Sequence, residues 1–152
     1  MKITRYLKPG QIRMELDAAD KQGALVSLLK ILADSGVVPK DKTGELLQSL
    51  IEREAQASTG LGSGVALPHV KTDMVDEIHI AFGRSNEGIE FEALDGNPAH
   101  FFFLVIAPIK DVCEYLKVLS WIAALMKDKK NRRSLLRAKT PEEIYSVLDQ
   151  TP

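Results

Sequence analysis

Apolar residues recur along this chain in two rhythms, and the rhythm changes at a cluster of glycines. Leu25, Leu28, Leu29 and Leu32 fall at i, i+3, i+4 and i+7, the stripe of an amphipathic helix. Asp20 is placed to cap its start and Gly36 to end it. Pro39 and Lys40 read as a connector, with Asp41 a candidate cap for a second helix. That helix buries Leu46, Leu47, Leu50 and Ile51 and ends in the polar run Glu52-Arg53-Glu54. Ahead of both, Ile12 to Leu16 alternates apolar and charged residues as a half-buried strand does. The spacing changes after Glu54. Ser58 to His69 reads STGLGSGVALPH, a glycine-rich turn running into a small apolar strand, Val65 to Leu67, and then Pro68 and His69.

Beyond His69, residues 70–76 are polar and predict a loop. Ile78, Ile80 and Phe82 alternate with His79 and Ala81 and predict a strand. Ile89 and Phe91 flank a Glu-rich bend, and Asp95-Gly96 is a turn signal. Phe101 to Ile106 is continuously apolar, the pattern of a strand buried on both faces, and Pro108 closes it. Val112, Tyr115, Leu116, Leu119, Ile122, Ala123 and Met126 then hold a helical stripe over four turns. The basic stretch Lys127 to Arg133 leads into a short helix through Leu135 and Leu136. Thr140-Pro141-Glu142-Glu143 combines a cap, a proline at the first helical position and a glutamate to close a capping box. No repeat, linker or low-complexity tract interrupts the chain. The expectation is one α/β domain over residues 1–152, a central sheet with helices on both faces in three α/β/α layers.

Composition narrows the function classes. With 20 basic and 21 acidic residues the net charge is −1, without the basic excess that nucleic-acid backbones ask for. The lone cysteine, Cys113, allows no internal disulfide and fits a reducing, cytoplasmic setting. The N-terminus lacks the apolar run of a signal peptide. The longest apolar run, Phe101 to Ala107, is too short to span a bilayer, so no direct membrane insertion is expected.

Candidate chemistry concentrates at residues 58–69. Glycines 60, 62 and 64 bend the backbone and free its N–H groups, which suit an anion where they converge. Pro68 fixes its own φ and biases Leu67 towards extended geometry, so His69 is held at a strand end. Arg53 precedes His69 by sixteen residues, and one glycine turn folds it back towards the imidazole. Other chemistries lack their signatures. His69, His79 and His100 show no metal-ligand spacing, and no metal site is expected. Gly62-Ser63-Gly64 lacks the nucleophile-elbow pattern, and no Walker lysine follows the glycines. By default His69 is a strand-end histidine bonded to backbone, His79 and His100 are structural, Arg53 is a solvated helix residue, Tyr115 is core and Lys127 to Arg133 is a solvated face.

The ordered set of motifs goes further. Arg53-Glu54, Ser58-Thr59-Gly60-Leu61-Gly62 and Gly64-Val65-Ala66-Leu67-Pro68-His69 together resemble the active-site signature of fructose/mannitol-type (type-2) enzyme IIA. These are components of the phosphoenolpyruvate-dependent sugar phosphotransferase system. The similarity continues through Ala81-Phe82-Gly83-Arg84, Phe91 with Ala93-Leu94-Asp95-Gly96, Leu104 to Pro108, Leu116 to Leu119 and Thr140 to Ile144. The resemblance implies a mixed sheet with helices on both faces and a histidine phosphocarrier without metal or organic cofactor. The histidine matching His69 accepts a phosphoryl group from a phosphohistidine of the small donor HPr. It passes the group to an enzyme IIB partner, or signals to a regulatory target. Arg53 matches the arginine beside the phosphorylated imidazole, and Thr59, Gly60 and Gly62 are expected to complete a phosphate cradle. Many family members carry a second histidine where this chain has Tyr115, which donates one hydrogen bond to a phosphoryl oxygen but carries no positive charge.

Three functions follow. The first is a free-standing regulator of the nitrogen-regulatory kind, phosphorylated on His69. It is favoured by a short lead resembling those members and by the absence of attached membrane or IIB sequence. The second is the IIA of a fructose- or mannitol-type sugar uptake system. The third keeps the fold as a protein-binding regulator with weak or no phosphotransfer, because of Tyr115. The downstream target, the sugar and the oligomeric state are not encoded in these motifs.

Overall fold

The apolar run at Phe101 to Ile106 becomes the middle of a six-stranded mixed sheet. The computed structural model describes residues 2–150; Met1, Thr151 and Pro152, at the ends of the expected 1–152 domain, lie outside the described residues. In chain order the elements are β1 (Ile12–Arg13), α1 (Lys21–Asp34), α2 (Thr43–Gln56), β2 (Gly60–Gly62), β3 (Val65–Ala66) and β4 (His69–Thr72). Then come β5 (His79–Ile89), β6 (Ala99–Pro108), α3 (Val112–Lys127), α4 (Lys129–Arg137) and α5 (Pro141–Leu148). The strand order is β1-β5-β6-β3-β2, and β4 also pairs with β6. β6 runs antiparallel to β5 and parallel to β3 and β4.

Side chains alternate across a strand, so β6 fills two cores at once. Phe101, Phe103, Val105 and Ala107 pack with Tyr115, Val118 and Ile122 of α3 and with Leu135, Ile144 and Leu148. Phe102, Leu104 and Ile106 pack on the other face with Leu25, Leu28 and Leu32 of α1 and Leu46 and Leu50 of α2. This double burial is why the β6 sequence shows no polar alternation. Edge-to-face ring pairs sit in each core, Phe82–Phe103 at 5.0 Å and Phe91–Phe102 at 5.8 Å between centroids.

β3 and β4 keep one register against β6: Val65 lies opposite Phe101, Ala66 opposite Phe102 and His69 opposite Val105. Between them Pro68 has no N–H to give, but its carbonyl accepts from the Val105 N–H at 3.0 Å. Residues 65–72 are thus one extended run. The polar stretch expected as a loop from residue 70 is strand as far as Thr72. Its composition misled because this strand end is partly open to solvent. The first strand is shorter than its alternation implied, Ile12–Arg13 only.

Helix ends follow the expected chemistry at three of four sites. The Asp20 carboxylate accepts from the Gly23 N–H at 2.8 Å. At Gly36, φ is +76° and the Gly36 and Val37 N–H groups return to the Ala33 and Leu32 carbonyls. Thr140 Oγ1 accepts from the Glu143 N–H at 3.1 Å, while the Glu143 carboxylate accepts from the Lys139 N–H at 2.6 Å, one residue before the expected donor. Asp41 is not a cap. It lies in a 3-10 turn, Lys40–Lys42, and α2 begins at Thr43.

Candidate functional site

Val65, Leu67 and His69 share one face of their strand. Val65 and Leu67 enter the α3-side core, and His69 follows them, half-buried, at the rim of the sheet. Tyr115, one turn into α3, meets it there with ring centroids 5.8 Å apart. His69 Nδ1 lies 2.6 Å from the Leu67 carbonyl oxygen. A carbonyl only accepts, so Nδ1 carries the proton and the neutral ring presents an unprotonated Nε2. Burial pushes the His69 pKa below its ordinary 6.5. The Leu67 hydrogen bond opposes that shift, the Arg53 charge adds to it and the Glu54 charge opposes it. The Tyr115 phenol is pushed up to about 12, mainly by burial, against the pull of Arg53. It is therefore a neutral donor throughout the physiological range.

Arg53 occupies the last turn of α2, on the opposite face of the sheet, where that helix meets β4. It is half-buried, and its Nη1 donates to the Ala57 carbonyl at 2.9 Å. Arg53, His69 and Tyr115 are thus brought to one end of the sheet from three separate elements. The arrangement offers an uncharged nucleophilic nitrogen, a planar cationic fork and a phenolic donor, a set suited to a tetrahedral dianion.

The glycines go elsewhere. Gly62 pairs with Val65 at the level of Phe101, four residues along β6 from the level of His69, roughly 13 Å at ~3.3 Å per residue. The Gly62-Ser63-Gly64 turn has φ of +91°, +55° and +80°, and its Ser63 N–H donates to the Asp95 carboxylate at 2.9 Å. An N–H already held by a carboxylate is no anion receptor. The Gly60 N–H donates to Ser58 Oγ at 3.1 Å, and a Cβ on Gly60 would stand 2.8 Å from Ala93 Cα. These glycines let the edge strand turn and pack closely; the Gly60 N–H is engaged by Ser58, and Gly62 lies four residues along β6 from the level of His69. Thr59 lies nearer, but its N–H (3.0 Å) and its hydroxyl both donate to the Glu54 carboxylate.

Glu54 entered the sequence reading only as part of the Arg53-Glu54 motif and was given no role there. It is 8% exposed, pairs with Lys21 at 2.9 Å and sits beside Arg53 in sequence. Its place in a polar helix end gave no sign of burial. Arg84 is likewise buried, its guanidinium donating to the carbonyls of Met14, Leu135 and Ala138, a structural tie between β5 and the α4 end. The remaining histidines keep structural settings. His79 lies 3.9 Å from Glu77, and His100 Nδ1 lies 2.8 Å from the Ser85 carbonyl. The basic stretch is partly a cap: Arg132 donates to the Met126 and Lys127 carbonyls at the end of α3. Among the described residues, no group of three or more His, Cys, Asp or Glu converges as metal ligands do, and no helix is long and apolar enough to cross a membrane. Around Tyr115, the side chains of Ile109, Val112 and Leu116 stand exposed, with Cys113 among them.

Comparison with known proteins identifies the family and the fold. The family model described as phosphoenolpyruvate-dependent sugar phosphotransferase system, EIIA 2, matches residues 5–151. The chain belongs to that family. Its relatives fall into both sugar and regulatory groups. A fructose-specific EIIA component of Haloferax volcanii is 37% identical, over 90% of this chain and 88% of its own length. A nitrogen regulatory protein of Bradyrhizobium diazoefficiens is 32% identical, over 100% of this chain and 97% of its own. Against the fructose-specific EIIABC component of Bacillus subtilis, 33% identical, the chain spans only 23% of the relative's length. The crystal structure of nitrogen regulatory protein IIA-Ntr from Neisseria meningitidis superposes with a TM-score of 0.87 at 30% identity, over 96% of this chain and 98% of that one. The mannitol IIA seen in complex with phosphorylated IIB from Escherichia coli shares the fold, with a TM-score of 0.78 at 22% identity, over 93% of this chain and 97% of that one.

Proposed function

We propose that this chain is a cytoplasmic histidine phosphocarrier that accepts a phosphoryl group from an HPr-like phosphohistidine onto Nε2 of His69. The observation that carries the reading is the Nδ1 contact with the Leu67 carbonyl, which leaves the Nε2 lone pair open beside Arg53. In the transfer, that lone pair attacks phosphorus as the donor's N–P bond breaks and its electron pair returns to the donor ring. Positive charge leaves the donor imidazole and appears on the His69 ring, where the Nδ1–H is already held by a carbonyl. Arg53 meets the charge spread over the equatorial oxygens, and Tyr115 donates to one of them. The chemistry requires no metal or organic cofactor. Thr59 contributes by holding the loop rather than by touching phosphate.

The exposed rim of Ile109, Val112 and Leu116 suits transient docking of protein partners, the HPr-like donor first and then a IIB domain or a regulatory target. Nucleic acid is not among the expected partners. Near full-length alignment with a nitrogen regulatory protein and the fit to IIA-Ntr support the regulatory role. The 37% identity to a fructose-specific EIIA supports the second reading, the IIA of a sugar uptake system.

The test mixes the protein with phosphoenolpyruvate, enzyme I and an HPr-type donor and follows an acid-labile adduct by intact mass. One phosphoryl group is expected on the wild type and none on His69→Ala. Absence of the wild-type adduct, or equal labelling of the variant, overturns the carrier reading in favour of a protein-binding regulator. Tyr115→His is expected to raise the labelling rate or adduct lifetime several-fold, because it restores a ring that can carry charge.

A further inference from the structure

A continuous set of contacts joins α1 to the reacting ring. Lys21 Nζ lies 2.9 Å from Glu54 Oε2, which also accepts the Thr59 N–H at 3.0 Å, while Glu54 Oε1 accepts the Thr59 hydroxyl. The Thr59 carbonyl accepts the Leu67 N–H at 3.0 Å. The Leu67 carbonyl in turn takes the proton on His69 Nδ1 at 2.6 Å. Pro68, the one residue between Leu67 and His69, has a ring-locked φ. Hydrogen bonds at each end and this restricted φ between them thus connect the Glu54 carboxylate to the imidazole.

We propose that Glu54, clamped between Lys21 and Thr59, is the positioning residue that fixes both the tautomer and the placement of the His69 ring relative to Arg53. The inference rests on His69 being the phosphoryl acceptor. Arg53 and Glu54 are neighbours in the last turn of α2. One residue faces the site of phosphoryl transfer and the other holds the strand that carries the acceptor. The helix thus references the cationic fork and the nucleophile to a single point, and a slip of strand against helix is resisted at Thr59. Two further contacts hold the Lys21 end. Its ammonium lies 3.7 Å from Glu92 and 4.9 Å from the Phe91 ring centroid, so Glu54 is neutralised where it is least solvated. The negative charge of Glu54 also favours the positive ring formed during transfer, in the same sense as its effect on the free imidazole.

The experiment records imidazole nitrogen spectra of protein labelled with ¹⁵N-histidine, with no phosphoryl donor present, and measures labelling rates separately. Wild-type His69 is expected as a single Nδ1–H tautomer. Glu54→Ala is expected to give a mixed tautomer population and at least a tenfold slower labelling rate. The paired change Lys21→Met with Glu54→Gln removes both charges but keeps one acceptor for Thr59, and is expected to restore a single tautomer and recover part of the rate. Leu50→Ala loosens the same helix without touching these contacts, and its His69 spectrum is expected to match the wild type. An unchanged tautomer in Glu54→Ala overturns the proposal, as does an equal loss in Leu50→Ala. If Glu54→Ala does not fold, Thr59→Val is read in its place, with a smaller shift in the same direction expected and no shift overturning the proposal. A chain whose tautomer responds as expected, yet accepts no phosphoryl group, refutes the phosphocarrier reading alone.

Discussion

Two histidines mark opposite ends of one strand pair, and their surroundings differ in the ways that matter for chemistry. His69 stands where residues 65–72 leave β6 at the level of Val105, and His100 stands where the same pairing begins, its N–H bonded to the Gly64 carbonyl at 2.8 Å. Both rings offer Nδ1 to a backbone carbonyl, of Leu67 or of Ser85. At His100 the ring packs against glycines: a Cβ on Gly88 would lie 3.2 Å from its Nε2, and one on Gly64 3.4 Å from its Cδ2. At His69 the neighbours are a half-buried arginine, a phenol and an exposed apolar rim. The glycine-rich end has the composition of an anion site but has given its Ser63 N–H to Asp95. Backbone amides bind a ligand only where they are unengaged, and a glycine count does not report that.

The comparison breaks first at the histidines themselves. His69→Gln is expected to abolish the phosphoryl adduct, while His100→Gln leaves it within about twofold by intact mass; loss of labelling in His100→Gln would place chemistry at the wrong end. Next in size is Arg53→Met. Removing hydrogen bonds made by a charged donor costs about 1.5–3 kcal/mol, or roughly 10–150-fold in transfer rate, with little change in melting temperature. A rate within threefold of wild type would remove Arg53 from the transfer step. Gly64→Ala sharpens the other end. At φ of +80° a side chain costs about 1 kcal/mol, or ~3 °C in melting temperature for a chain of this size, with labelling of His69 retained.

The smallest effect is in pH. The folded His69 ring refuses a proton that the unfolded chain accepts at its ordinary 6.5, so below that value the unfolded state binds more protons and stability falls as pH falls. His79 shifts in the same direction, chiefly through burial, and adds to the slope. The His69 NMR titration is expected to have its midpoint below 6.5, and the acid slope of stability to flatten in His69→Gln. A midpoint above 6.5 reverses the sign and refutes the desolvated ring.

The order and type of elements were largely readable from the chain, because helical stripes such as Leu25 to Leu32 and the unbroken β6 report burial directly. The proline-histidine end was readable too, since Pro68 restricts the backbone whatever surrounds it. His69 and Arg53 were candidates from residue pattern and took their roles, with Tyr115, from resemblance; their convergence on one sheet end required three elements to pack. Two matters belonged to tertiary structure alone. Glu54 stands in a polar helix end and becomes buried only because Lys21, 33 residues earlier, and Thr59, five residues later, close over it. Gly62 stands away from His69 because the register of β2 and β3 against β6 places it at the level of Phe101, while His69 lies opposite Val105. Local sequence sets which conformations and faces are available; which donors remain unengaged is decided by partners distant in the chain.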